Sequence, residues 1–419
     1  MHSKKQTKRC LTNSIRCVIM VACYRIKVME VLILKLMKTP EGARDKLFEE
    51  YRACSYVRSK LEDLFYKRGY SGVATPTLEY YELFAAGNRD DSVIYKLTGL
   101  DNRLLAMRPD STAPIARLTA SQLRNIKPPI RLCYSQNVFQ SHLAHTGQRD
   151  ETAQSGIELI GPQGLMADIE VIYTAFEAMR LFSPGCTIEL AHAGLFRALS
   201  NELSVDENTL EEIRLCIESK NLAALNEILD TLPPSESVDS IRKLPKLYGG
   251  GEIFEAAGNI PGAAEILAEL KAVYDVLIKI CGTDGGKINV DLGLVHRNDY
   301  YTGVVFRGYI SGFGETVITG GRYDNLLANF GRSLPATGFA VDDEILSRIA
   351  LKNRLIAPAE LPVLIVADKG YEEAALKLQG KLIAEGKRAG ICSYSDEYNA
   401  ANYAGIYTVG KNGPMEVEQ

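Results

Sequence analysis

The side chains able to do chemistry in this sequence are spread over six short segments at wide separations. They are Thr75-Pro76-Thr77-Leu78-Glu79, Met107-Arg108-Pro109-Asp110-Ser111-Thr112-Ala113, Gln154-Ser155-Gly156-Ile157-Glu158, Asp299-Tyr300-Tyr301-Thr302-Gly303, Gly320-Gly321-Arg322-Tyr323-Asp324 and Pro335-Ala336-Thr337-Gly338-Phe339-Ala340. Between them they offer carboxylates, hydroxyls and an amide, groups that hold a polar ligand by charge and hydrogen bonds. The competing reading of such residues is a buried polar network retained for folding. Two glycine-rich stretches are set aside. Gly249-Gly250-Gly251 lacks a following Lys-Ser/Thr, and Gly282-Thr283-Asp284-Gly285-Gly286 lacks the dinucleotide spacing and a preceding strand. Both read as turns. The nine cysteines form no CxxC pair and no His/Cys cluster with ligand spacing, so no metal site is expected and the thiols read as reduced.

The elements that must position these residues follow from periodicity. Leu47, Tyr51, Cys54, Val57, Leu61, Leu64 and Phe65 recur at three- and four-residue steps, so residues 43–68 form a helix that Gly69 ends. Val93–Leu97 and Arg103–Arg108 read as a hairpin. Ser111 is expected to cap a helix running to about Arg124. Strands follow at Ile130–Ser135, Val138–Gln140, Ala153–Ile160 and Thr187–Leu190, with a helix at Met166–Leu181. From about residue 195 to 281 the texture is rich in Leu, Glu, Ala and Lys, a helical insertion. Strand patterns return at Ile288–Leu292, Gly303–Tyr309 and Glu315–Thr319, then a helix near Tyr323–Asn329. Beyond Pro358 and Pro362 the tail alternates strand (Val363–Ala367), helix (Tyr371–Glu385) and strands (Arg388–Ser393, Gly405–Val409). The expected fold is α+β, with an antiparallel central sheet flanked by helices. A core spans 37–357, and 358–419 is a small α/β unit.

Composition narrows the function classes. A net charge of −4 suggests neither a nucleic-acid coat nor a membrane-surface protein. Residues 1–36 are basic, with Lys4, Lys5, Lys8, Arg9, Arg16, Arg25, Lys27 and Lys35 against Glu30 alone, so the body is more acidic than the total. The run Val18 to Cys23 is brief, Arg25 and Lys27 interrupt its flank, and no small-x-small cleavage site follows. The leader is therefore expected to lie outside the fold, with Met29 or Met37 as the true first residue, and the protein to be cytoplasmic.

In this order the six segments resemble histidyl-tRNA synthetase, from Lys38 to about Asn353. The resemblance implies a class II synthetase-like core. It places Pro76 at a dimer interface, and Asp110 and Thr112 where that family holds the α-amino group of histidine. It puts Gln154 and Glu158 in the lining of the same pocket, and Tyr300 and Tyr301 at the paired tyrosines of the histidine-specific loop. The chemistry agrees: an ammonium group needs a buried anion, which Asp110 supplies, and an imidazole needs groups opposite both nitrogens, which Glu158 and Tyr301 supply.

The departures are as informative. Activating an amino acid with ATP requires arginines against the developing phosphate charge. After Phe139 stands Gln140, after Glu344 stands Ile345, and after Val295 stands His296, with Arg297 displaced by one position. Losing one such donor costs roughly 3 kcal/mol, so three losses abolish activation. Asp342, Asp343 and Glu344 are expected to add anions near the triphosphate position. The tail after Pro362 is too short for the synthetase's anticodon-binding domain, so tRNA is not expected as a partner. With Lys38-Thr39-Pro40-Glu41-Gly42-Ala43-Arg44-Asp45 and Ile157-Glu158-Leu159-Ile160-Gly161, the chain is similar to the paralogous family of ATP phosphoribosyltransferase regulatory subunits. That resemblance implies a non-catalytic, cofactor-free subunit, dimeric or larger, which joins a short catalytic subunit and takes L-histidine as effector. The alternatives are a diverged histidyl-tRNA synthetase using Arg297, or a tRNA-sensing module.

Overall fold

The structure is a computed structural model that describes residues 37–85, 91–142, 147–283, 285–295 and 300–417. The leader 1–36, His296, Arg297 and Asp299 lie outside the described residues. One compact unit ends at Asn353 and a second runs from Arg354.

The first unit is built on strands β1 (Ser71–Gly72), β2 (Leu78–Tyr80), β3 (Lys96–Thr98), β4 (Leu104–Met107), β5 (Ile130–Phe139) and β6 (Glu151–Ile160). The chain continues through β7 (Cys186–His192), β8 (Tyr248–Gly249), β9 (Lys287–Asp291), β10 (Val304–Ile310), β11 (Ile318–Arg322) and β12 (Ala336–Asp342). Nine of these form one sheet, ordered β1-β5-β6-β12-β11-β10-β7-β9-β8, and β2-β4-β3 form a small one. The large sheet is antiparallel except where β1 meets β5 and β7 meets β9. The expected α+β class with a mainly antiparallel central sheet is therefore the fold observed.

Helix Phe48–Lys67 covers the sheet because Ala53, Val57, Leu61 and Phe65 recur every fourth residue and are all fully buried. Helix Leu165–Arg180 is apolar on most sides and buries Ile169, Val171, Ile172, Phe176 and Met179. The helices from Ala193 to Thr283 form the inserted block, interrupted by the two residues of β8. Several begin with side-chain caps: Asp206, Asn221 and Ser235 each accept the amide three residues on.

Several local expectations shift. The two strands around Ser135 are one continuous strand, β5, because all ten residues pair with β6. The helix near Tyr323 is a short 3-10 turn, Leu326–Phe330, that ends at Gly331 in the left-handed region. The strand expected at Glu315–Thr319 lies three residues later, in register with both β10 and β12. Ser111 does not cap with its side chain. It already has helical backbone angles, its hydroxyl accepts from Gln136 Nε2 at 2.8 Å, and Asp110 Oδ1 takes the Ala113 amide instead.

The second unit is a four-stranded sheet of β13 (Val363–Ala367), β14 (Ala389–Ser393), β15 (Gly405–Gly410) and β16 (Gly413–Val417), ordered β14-β13-β15-β16. Helix Glu372–Ala384 packs Ala375 and Leu382 on Val363, Ile365 and Val409. β16 was not anticipated. It pairs antiparallel with β15 through the tight turn at Gly413.

Candidate functional site

Asp110, Thr112, Gln154, Glu158, Tyr300 and Tyr301 all line one cavity of about 290 Å³. Their convergence follows from register. On β6, Gln154 and Glu158 are four residues apart and share a face. Glu158 lies opposite Leu132 of β5 and Gly338 of β12, while Gln154 lies opposite Gln136 and Asp342. Asp110 and Thr112 stand at the start of helix Thr112–Ser121, and the tyrosines precede β10. Pro76 is exposed, two residues before β2, and lines none of this cavity.

Glu158 is the chemical centre. Its side chain is buried, Thr112 Oγ1 donates to its Oε1 at 2.9 Å, and the Tyr323 hydroxyl donates to its Oε2. Burial pushes its carboxyl up to about 8, against the two hydroxyl donors, which favour the anion, while the Asp110 charge raises it further. Such a group is poised to give or accept a proton near neutrality. Burial likewise holds the phenols of Tyr134, Tyr301 and Tyr323 well above the ordinary range, so they remain hydroxyl donors. Tyr300 meets Tyr301 with ring centroids 4.8 Å apart, and its ring stands edge-on to Tyr323 at 5.9 Å. In the same cavity Asp110 Oδ1 is fixed by the Ala113 amide at 2.9 Å. A carboxylate and a carboxyl among hydroxyls in one cavity suit a small ligand with a cationic group and a polar ring.

Tyr134, Tyr323 and Gly338 line the cavity too and had not been assigned. The Gly320–Asp324 segment had marked Tyr323 as part of a motif, but only the fold places its hydroxyl on Glu158. Arg322 explains the placement. Buried, it forms an ion pair with Asp168 at 2.8 Å and a second with Asp324 at 3.0 Å, and its carbonyl accepts the Thr302 amide at 2.8 Å.

Gln140 and Gln154 also border an adjoining cavity. There Gln140 Nε2 is held on the Pro109 carbonyl at 2.8 Å. The acidic triplet behaves differently from expectation. Asp342 and Glu344 line this second space, but Asp343 is turned into the core and accepts from Ser155 at 2.9 Å. Asp342 also caps helix Asp343–Lys352 through the amides of Glu344 and Ile345. Cations are present from other positions. Arg149 and Arg348 line the cavity, Arg149 paired with the buried Glu344 and Arg348 with Glu315. Lys46 also pairs with Glu344, and Arg44 approaches it at 3.5 Å. Among the described residues no cluster of His, Cys, Asp and Glu could hold a metal ion, and the six cysteines are free. No described helix is long and apolar enough to cross a membrane.

The histidyl-tRNA synthetase family profile matches residues 42–346. An ATP phosphoribosyltransferase regulatory subunit of Clostridium kluyveri is 37% identical over 375 residues, 87% of this chain and 95% of that protein. The chain belongs to the family of ATP phosphoribosyltransferase regulatory subunits. A solved structure from Bacillus halodurans, described as an ATP phosphoribosyltransferase regulatory subunit/histidyl-tRNA synthetase, agrees with this fold at a TM-score of 0.77. It is 30% identical, and the match covers 89% of this chain and 98% of that one. The apo histidyl-tRNA synthetase of S. aureus shares the fold at a TM-score of 0.63 and 20% identity, over 90% of this chain and 92% of its own. Within this regulatory-subunit family the synthetase-like fold and the cavity around Glu158 are thus found in a chain whose adjoining space carries Gln140 and Ile345.

Proposed function

We propose that the chain is a regulatory subunit, without catalytic activity of its own, of an ATP phosphoribosyltransferase. It joins a short catalytic subunit, the complex condenses ATP with phosphoribosyl pyrophosphate, and L-histidine in the cavity around Glu158 reports end-product level. The single observation that carries this reading is the pairing of that buried carboxyl with Thr112 and Tyr323 in a cavity that Asp110 also lines. Asp110 and Thr112 take the ammonium group, and Glu158, Tyr301 and Tyr323 face the imidazole. Gln154 and Tyr300 complete the wall. Feedback then requires histidine to favour one quaternary state over another, a coupling of typically about 1–3 kcal/mol. The protein acts in the cytoplasm and self-associates through the region of Pro76.

The test is co-purification with the short catalytic subunit, followed by assay of the complex with and without L-histidine. Glu158→Gln leaves the complex assembled and active but weakens histidine binding and inhibition. Histidine affinity unchanged in that variant would refute the assignment of the pocket.

A second reading, a diverged histidyl-tRNA synthetase, is favoured by one observation: Arg149 and Arg348 border the space beside Gln140. Both are already engaged by Glu344 and Glu315, which argues against a triphosphate there. Histidine-dependent pyrophosphate exchange by the purified protein would reinstate it.

A further inference from the structure

A further cavity, of about 380 Å³, lies between helices Ala193–Ser200 and Glu207–Glu218 and the turn after β9, with Tyr301 as one wall. Tyr301 therefore lines both this cavity and the one around Glu158. Phe196, Leu210 and Leu294 supply apolar lining. Of the polar side chains that interrupt it, His192, Arg197 and Glu207 stand apart from Ser200, Glu211 and Arg214.

Among the described residues, none of the three has its charge or donor fully matched at hydrogen-bond distance. The His192 side chain is only 6% exposed. Its Nδ1 accepts the Gly194 amide at 3.0 Å, so the neutral ring carries its proton on Nε2. Among the described residues that Nε2 makes no hydrogen bond, and the Glu269 carboxylate stands 3.6 Å away. A buried donor in this state is stabilised by any acceptor brought to it. Among the described residues Arg197 makes one guanidinium hydrogen bond, from Nη2 to the neutral carbonyl of Tyr301 at 3.0 Å. Glu207 has no ion pair among the described residues. Arg214, in the same cavity, shows the contrast: its charge is met by both Glu211 and Glu218. What is left over is one cation, one anion and one buried donor beside an apolar wall.

We infer that this cavity is a second ligand site, for a free α-amino acid with an apolar side chain. Arg197 takes the carboxylate, Glu207 the ammonium group and His192 a remaining acceptor, while the side chain lies on Phe196, Leu210 and Leu294. The volume falls within the range of small-molecule sites. Because Tyr301 is common to both cavities and Arg197 holds its carbonyl, occupancy of one is felt at the other, reciprocally. The inference stands whether or not the first cavity takes histidine.

Equilibrium dialysis of the full-length protein with radiolabelled L-leucine and L-phenylalanine tests it. At least one binds saturably, about tenfold or more weaker in Arg197→Ala and in Glu207→Gln, and binding persists in Glu158→Gln. Leucine amide, which lacks the carboxylate, competes about tenfold less well than leucine. Absence of saturable binding up to about 5 mM overturns the inference. So does binding indifferent to Arg197→Ala but abolished by Glu158→Gln, which would place the amino acid in the first cavity.

Discussion

Gly338 lies directly against the Glu158 carboxylate, so close that a β-carbon on residue 338 would overlap Glu158 Oε2 and the Ile157 carbonyl. Glycine at this point of β12 is what lets the carboxyl lie across the strand and meet Tyr323. Gly338→Ala is expected to displace Glu158, reduce histidine affinity by about 100-fold and destabilise the fold by about 1–3 kcal/mol. Gly314→Ala is the control, since a β-carbon there meets nothing. Calorimetric titration with L-histidine and urea midpoints of both variants check this. Equal affinities would mean that Glu158 is not the ligand's partner.

The raised carboxyl of Glu158 makes stability depend on pH in a defined direction. Its folded value, about 8, lies above the 4.5 of an ordinary glutamate, so the folded state holds the proton more tightly. The associated stability is fully present below pH 4.5 and is lost as pH rises through about 8. Asp343, pushed up to about 7 by burial, acts with the same sign. Glu158→Gln is therefore expected to flatten the decline between pH 5 and pH 8.5 by a few kcal/mol while leaving the part due to Asp343. Urea unfolding at the two pH values measures it, and an unchanged slope would place the proton elsewhere.

The same proton should appear in binding. At pH 7 Glu158 is largely protonated in the empty cavity, and an imidazole N–H together with an ammonium group favours its anion. Histidine binding is then expected to release a substantial fraction of one proton, and Glu158→Gln to abolish that release. Titration calorimetry in phosphate and in Tris separates buffer ionisation from binding. Identical enthalpies in the two buffers would contradict the proposed role.

Much of this arrangement was legible in the sequence, and the losses have physical reasons. Asp110, Thr112, Gln154, Glu158, Tyr300 and Tyr301 fall in segments whose order and spacing carry a family pattern, and all six line the cavity. Tyr134 was hidden because it sits in the continuous strand β5, where burial on alternating positions looks like ordinary core. Asp343 read as one of three anions near the triphosphate position. The helix Asp343–Lys352, not anticipated from the sequence, starts at the Asp342 cap and turns Asp343 inward onto Ser155. Arg149 could not be connected with Glu344 from spacing, since nearly two hundred residues separate the strand pairs that bring them together.

Arg322 is expected to act through Tyr323 rather than on the ligand. Its Nε spans both oxygens of Asp168, at 3.0 and 3.1 Å, in a buried site where lysine cannot reproduce the fork. Arg322→Lys should cost about 3–5 kcal/mol of stability and loosen the Tyr323 hydroxyl from Glu158. If positioning is the role, the pH at which histidine affinity falls shifts in this variant. A purely structural role lowers the melting temperature and leaves that pH profile where it was.

We propose the small sheet as the surface for self-association. Tyr80, Leu105 and Leu97 lie opposite one another across β2, β4 and β3, and Leu78 pairs with Met107 on the same face. The reverse face packs Ala106 on Phe84 and Ile94. Leu78, Tyr80 and Leu97 remain 42–45% exposed, a contiguous apolar row beside the exposed Pro76. Such rows on a folded surface mark contact sites, and a second copy of the chain is the proposed occupant. Light scattering should give a dimer or larger at micromolar concentration. Leu78→Lys with Leu97→Lys should yield monomers that keep their helical circular dichroism, because neither side chain reaches the core. A monomeric parent protein, or a double variant that remains dimeric, would move the interface elsewhere.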